Sequence, residues 1–214
     1  MRVLNLDALM RDDVESGTGL ILRDVQGRYL FAVSGTRFAC APGELFYCGI
    51  GGHREAGEDW EACAHREARE EIGSAIRLLS WDTTWHVLAG RDPEQVCVQA
   101  LPTPRAVYEM PPLPGASSSS LQYTLVIFEG ELLDPPLPNR VEVRALLALT
   151  PEQVVAGLTR KPSISQLLAD GAALVAPAEE MSEDLRCYPV GTAVALGSIL
   201  SLERARAAKH RDAV

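Results

Sequence analysis

Lysine is nearly missing from this 214-residue chain: Lys161 and Lys209 are the only two, so its positive charge rests on arginine. With 29 acidic and 20 basic side chains and a net charge of −9, it lacks the positive field that holds proteins on nucleic acid or anionic membranes. No apolar run approaches the ~18 residues that would cross a bilayer. The first residues lack the basic, apolar, small-residue order of a secretory leader, because Asp7, Asp12 and Asp13 interrupt it, and a cytoplasmic address is expected. Five cysteines, Cys40, Cys48, Cys63, Cys97 and Cys187, are odd in number and show no CxxC spacing. Neither a disulfide framework nor a zinc knuckle is therefore expected, and they read as small buried apolar residues. No internal repeat is visible. What remains is a chain long enough to bury its own core, acting on or binding something small.

The stretch that organises it runs from Gly51 to Ser74, GGHREAGEDWEACAHREAREEIGS. Asp59 or Gly57 stands where an N-cap belongs, good helix formers run from Trp60 to Glu71, and Gly73 occupies the position of a C-terminal glycine. Trp60, Ala64, Ala68 and Ile72 recur every fourth residue, a flat apolar stripe that must pack on something. At about 100° per residue, Glu67, Glu70 and Glu71 share one face. Like charges at these spacings cost about 0.2–0.5 kcal/mol per pair, and acids in a last turn oppose the helix dipole by roughly 0.3–1 kcal/mol each. A bound divalent cation would reverse both penalties, and hard oxygen ligands suit Mg²⁺, with Mn²⁺ as the alternative. The plainer reading is a solvated helix whose Arg66 and Arg69 neutralise their neighbours.

The spacing of the whole segment bears on that choice. Gly52, five residues, Glu58, seven residues, Arg66-Glu67-Ala68, one residue, Glu70-Glu71, one residue and Gly73 resembles the signature of the Nudix hydrolases. Two positions depart from it: Ser74, where the family prefers an aliphatic residue, and Ile50, where many members carry proline. The resemblance implies an α+β fold, an α/β/α sandwich around a mixed sheet, with the signature as loop, helix and loop. It implies that Glu67, Glu70 and Glu71 hold metal, with the Gly51 carbonyl as a further ligand. Glu58 and Arg66 would fix the ligands' orientation, and Gly52 would keep the backbone close.

Along the rest of the chain, residues 18–24 and 28–34 read as a hairpin around Gln26-Gly27. The loop after it carries Arg37, and the signature loop carries His53 and Arg54; these three are candidate substrate contacts. Residues 75–88 read as a strand, or two joined by a bend, with Trp81 and Trp85 more suited to core packing than to stacking on a base. Residues 91–120, rich in Pro, Gly and Ser, read as a loop or lid around a short strand at 105–108. Strands are expected at 121–132 and around 141–149, a helix at 151–158 with Pro151 at its first position, and helices at 163–175 and 190–208 joined by an acidic connector. The domain expectation is a hydrolase unit over residues 1–175 with a helical extension, 176–214, packed on it. That extension could cover a sheet edge or build a homodimer interface.

The function implied by the resemblance is Mg²⁺-dependent hydrolysis of a pyrophosphate linkage in a nucleoside diphosphate joined to another moiety: nucleotide sugar, ADP-ribose or nucleoside triphosphate. Glu142 is the first candidate for the base that activates water, with Glu129, Glu131, Glu70 and Glu67 as alternates. The competing reading is a catalytically silent Nudix-fold module that binds or senses a nucleotide.

Overall fold

The computed structural model describes residues 3–10, 14–111, 123–176 and 181–211. In chain order the strands are β1 Val3–Asn5, β2 Glu15–Arg23, β3 Tyr29–Ser34 and β4 Glu44–Cys48, then helix α1 Trp60–Ile72. Strands β5 Ile76–Leu78, β6 Thr84–Leu88, β7 Glu94–Gln99, β8 Ala106–Met110, β9 Tyr123–Leu132 and β10 Val143–Leu149 follow. Helices α2 Pro151–Gly157 and α3 Ile164–Ala169, strands β11 Ala173–Val175 and β12 Arg186–Pro189, and helix α4 Thr192–Arg211 complete the α+β fold.

The sheet runs β1-β7-β6-β8-β9-β2-β3-β10-β11, mixed in direction, with β2 parallel to β9 and β6 parallel to β8. β2 and β9 read as unbroken apolar runs, Leu20-Ile21-Leu22 and Leu125-Val126-Ile127-Phe128, because both their faces are covered. Alternate residues serve opposite cores. Leu20, Leu22, Val126 and Phe128 pack with Ala64, Ala68 and Ile72 of α1. Ile21 and Ile127 pack with Val154 of α2, Ile164 of α3 and Leu196 and Ile199 of α4. Each large apolar side chain so buried contributes about 1.5–3 kcal/mol.

One edge of β3 is shared: β2 pairs with its start and β4 with Ala32 and Val33. After β4 the chain runs antiparallel along β2. The Leu20 N–H donates to the Ile50 carbonyl (2.8 Å), the Thr18 N–H to that of Gly52 (3.0 Å) and the Arg54 N–H to that of Ser16 (3.1 Å). The signature loop is thus an extra edge of the sheet, which fixes where α1 begins.

Several sequence expectations need correction. The span 91–120 holds the expected short strand, β8 at 106–110, and also β7 at 94–99, which was read as loop. Its Pro/Ser tail at 113–120 lies outside the described residues. The helix expected over 163–175 ends at Ala169; Gly171, at φ 97°, turns the chain into β11. The connector at 176–189 holds β12, which pairs in parallel with β4. The last helix begins at Thr192 and reaches Arg211, and only its first half is buried.

Candidate functional site

Asp59, not Gly57, caps α1: its carboxylate accepts the Ala62 N–H at 2.7 Å. At the other end Gly73 is left-handed (φ 60°) and donates its N–H to the Arg69 carbonyl. Ser74 is fully buried where an aliphatic residue was expected, and its hydroxyl donates to the Asp134 carbonyl at 2.9 Å, which satisfies it.

The helix presents Glu67, Glu70 and Glu71 to a cavity of about 580 Å³, into which Glu142 also faces from the loop before β10. That loop is tied to the helix end: the Leu137 N–H donates to the Ile72 carbonyl and the Asn139 N–H to that of Glu71, both at 2.7 Å. Glu142 is therefore held opposite the helix although it lies 71 positions after Glu71. The signature glycines are fitted by contact. A Cβ on Gly51 would stand 2.1 Å from the Thr18 carbonyl oxygen, and one on Gly52 would stand 2.5 Å from the Glu67 carboxylate.

Arg66 is the hub. Its Nε and Nη2 donate to the two oxygens of Glu58, each at 2.9 Å, and Nη2 also donates to the His53 carbonyl at 2.9 Å. Its Nη1 donates to Glu67 at 2.7 Å and to Glu70 at 3.0 Å. This bidentate grip holds Glu58 well below the ordinary carboxylate range, at about 2. Glu67 and Glu71 go the other way. Burial pushes both up, Glu71 to about 8, against the opposing pull of Arg66 on Glu67 and of the Gly51 N–H on Glu71. Glu70 keeps its side chain 56% exposed at the mouth.

The three candidate substrate residues fall in different places. Arg37 and His53 line the cavity; Arg37 is ion-paired with Glu142, and His53 Nε2 lies 3.1 Å from a Glu15 oxygen. Arg54 is turned away, its guanidinium 4.0 Å over the Trp60 ring. The alternates Glu129 and Glu131 are at the far end of β9, where Glu129 pairs with Arg23 and Arg105, and Glu131 with Arg77. Neither tryptophan in question lines the cavity: Trp85 is buried in the core and Trp81 lies under Arg105. Cys63 is buried as expected, and it also accepts the Thr18 hydroxyl at 3.2 Å.

Sequence reasoning missed the cavity's apolar half, where Ala32, Phe38, Phe46, Cys48, Met110 and Leu125 stand. Ala32 and Ser34 on β3, and Phe46 and Cys48 on β4, are two-residue intervals that mark a shared face. That signal was present, but nothing local says that the face borders a site.

A family model described as the NUDIX domain matches residues 14–167. The chain belongs to the Nudix family. The matched span takes in all of α1, with Glu67, Glu70 and Glu71. Among solved structures, a MutT protein from Methanosarcina mazei Go1 aligns over 91% of this chain and 98% of its own, at 9% identity and a TM-score of 0.49. The ORF135 protein of E. coli aligns over 91% and 94%, at 14% identity and 0.45. A NUDIX hydrolase from Nitrosomonas europaea aligns over 61% of this chain and 65% of its own, just under two thirds, at 14% and 0.38. Likenesses this distant carry no weight for chemistry. No curated protein matches the chain.

Proposed function

We propose that this Nudix protein is a Mg²⁺-dependent hydrolase of a pyrophosphate linkage in a nucleoside diphosphate joined to another moiety, with Mn²⁺ able to replace Mg²⁺. The observation that carries the proposal is the meeting of Glu67, Glu70 and Glu71 with Glu142 in one cavity that also takes in Arg37 and Arg66. Two of these acids are buried, and Glu142 adds to the repulsion that raises both Glu67 and Glu71. Hard oxygen donors under such strain fit a divalent cation.

The fit requires small movements. Glu67 and Glu70 share Arg66, Glu71 holds the Gly51 N–H, and no three acidic, histidine or cysteine side chains converge on one point among the described residues. In this reading Glu67, Glu70, Glu71 and the Gly51 carbonyl would hold the ion, which when bound draws charge from the diphosphate oxygens. Arg66, locked by Glu58, keeps the carboxylates aligned. Glu142 accepts a proton from water as the water oxygen bonds to phosphorus; the bridging P–O bond breaks and its electron pair leaves with the departing phosphate. Arg37, paired with Glu142 and half-exposed, would exchange that partner for a substrate phosphate.

A coupled phosphate-release screen with Mg²⁺ over nucleoside triphosphates, nucleotide sugars and ADP-ribose tests this. Wild-type protein should release phosphate from at least one class, and Glu70→Gln should lose about 10²-fold or more of it. Release that persists undiminished in Glu70→Gln contradicts the site.

A further inference from the structure

The family match ends at residue 167, yet a strand beyond it reaches the cavity wall. Tyr188 of β12 sits opposite Phe46 of β4 in the parallel register, ring centroids 6.4 Å apart at 57°. Phe46 meets Phe38 edge to face, 5.3 Å and 72°. Phe46 and Phe38 line the cavity; Tyr188 stands behind them, with the Lys161 ammonium 4.7 Å from its ring centroid. Three aromatic rings from β12, β4 and the loop after β3 thus make one corner, at the apolar end of a cavity whose other end is acidic.

The corner is joined to the phosphate end by adjacency in sequence. The Arg37 guanidinium bridges the Glu142 carboxylate and the Phe38 ring, 4.9 Å from its centroid. A diphosphate that draws Arg37 toward itself brings whatever it carries next to Phe38. Phe38 is 38% exposed and belongs to neither core cluster, which leaves its ring area to cover. Ser34 also lines the cavity, and its hydroxyl is engaged with the Cys40 thiol, 3.5 Å away. Face contact, rather than hydrogen bonding to a ring edge, is what these side chains offer.

Resting on the diphosphate reading above, we infer that Phe38 and Phe46 hold the nucleobase by its face, and that Tyr188 is a positioning residue that keeps Phe46 in place. The segment after residue 167 then supplies part of the specificity wall. Stacking of a base on an aromatic side chain raises affinity by about 10-fold or more and tolerates any base. Sites that hydrogen-bond a substrate edge reject the wrong group by about 10⁴-fold or more. Preference among bases should therefore be shallow.

Calorimetric binding of ADP, UDP and inorganic pyrophosphate to the full chain in Mg²⁺ reads this directly, because the three share a diphosphate and differ in the ring. Wild-type protein should bind ADP at least about 10-fold more tightly than pyrophosphate, and ADP and UDP within about 100-fold of each other. Phe38→Ala and Tyr188→Ala should bring ADP down toward pyrophosphate while leaving pyrophosphate affinity unchanged, which also shows that the variants are folded. Tyr188→Phe, which keeps the ring, should retain wild-type ADP affinity. ADP no tighter than pyrophosphate, or Tyr188→Ala indistinguishable from wild type, overturns the inference and spares the diphosphate reading. Failure of all three probes to bind overturns both.

Discussion

Two groups of acids stand at opposite ends of the same strands. Where β2 and β9 end, each acid has an arginine of its own: Glu129 meets Arg23 at 3.3 Å and Arg105 at 4.0 Å, and Glu203 meets Arg105 at 2.8 Å. Where those strands begin, Glu67, Glu70, Glu71 and Glu142 crowd one cavity with Arg66 and Arg37 as its only arginines among the described residues, and burial raises two of the four. The first group is balanced and needs nothing further. The second is short of positive charge, and that deficit is what a metal and a diphosphate would use.

The largest expected contrast is in turnover. Glu142→Gln should cut kcat by about 10²-fold or more, since a base that is positioned for proton transfer is worth roughly 10²–10⁴. Glu129→Gln should leave kcat within about twofold and cost only stability, roughly 1–3 kcal/mol for a buried carboxylate whose charge is removed from its arginines. Steady-state kinetics of the two variants side by side check the contrast; equal losses would erase it.

A smaller effect, of opposite sign at the two ends, should appear in stability without metal. Glu71 is raised from 4.5 to about 8 in the folded state. Below pH 4.5 it is protonated whether folded or not and costs nothing. As pH climbs toward 8 the unfolded chain releases the proton first, and the folded state bears the cost of burying the charge. In chelator at pH 8, Glu71→Gln should therefore be more stable than wild type, by roughly 1–3 kcal/mol, with the difference vanishing near pH 4. Glu129→Gln should be less stable at both. Denaturant titrations at the two pH values read both signs.

Legibility in the sequence followed locality. The helix α1 was readable because its caps, its four-residue stripe and its acids all lie within one segment. Glu142 could be proposed but not separated from Glu129 and Glu131, because the choice depends on which end of the sheet each loop reaches. β7 was hidden by Pro93 just before a short strand, and β11 and β12 by being 3 and 4 residues long. The aromatic corner drew on three distant segments, and no local pattern joins Phe38 and Phe46 to Tyr188.

The smallest effect concerns the clamp. The Arg66 grip lowers Glu58 from 4.5 to about 2, so its contribution to stability is complete above pH 4.5 and is lost as pH falls through 2. Glu58→Gln should flatten that acid limb, and it should weaken metal affinity by about 10-fold, the lower end of what partners of metal ligands contribute. Acid-unfolding curves of the two proteins make the comparison.

The most direct measurement is a Mn²⁺ titration followed by the loss of the free-ion electron paramagnetic resonance signal, on wild type, Glu67→Gln, Glu71→Gln and Glu129→Gln. Saturable binding that is weakened at least about 10-fold in the first two variants and unchanged in Glu129→Gln is the predicted result. Binding that is absent in wild type, or equally strong in all four proteins, would contradict the claim that the α1 glutamates form a metal-holding face.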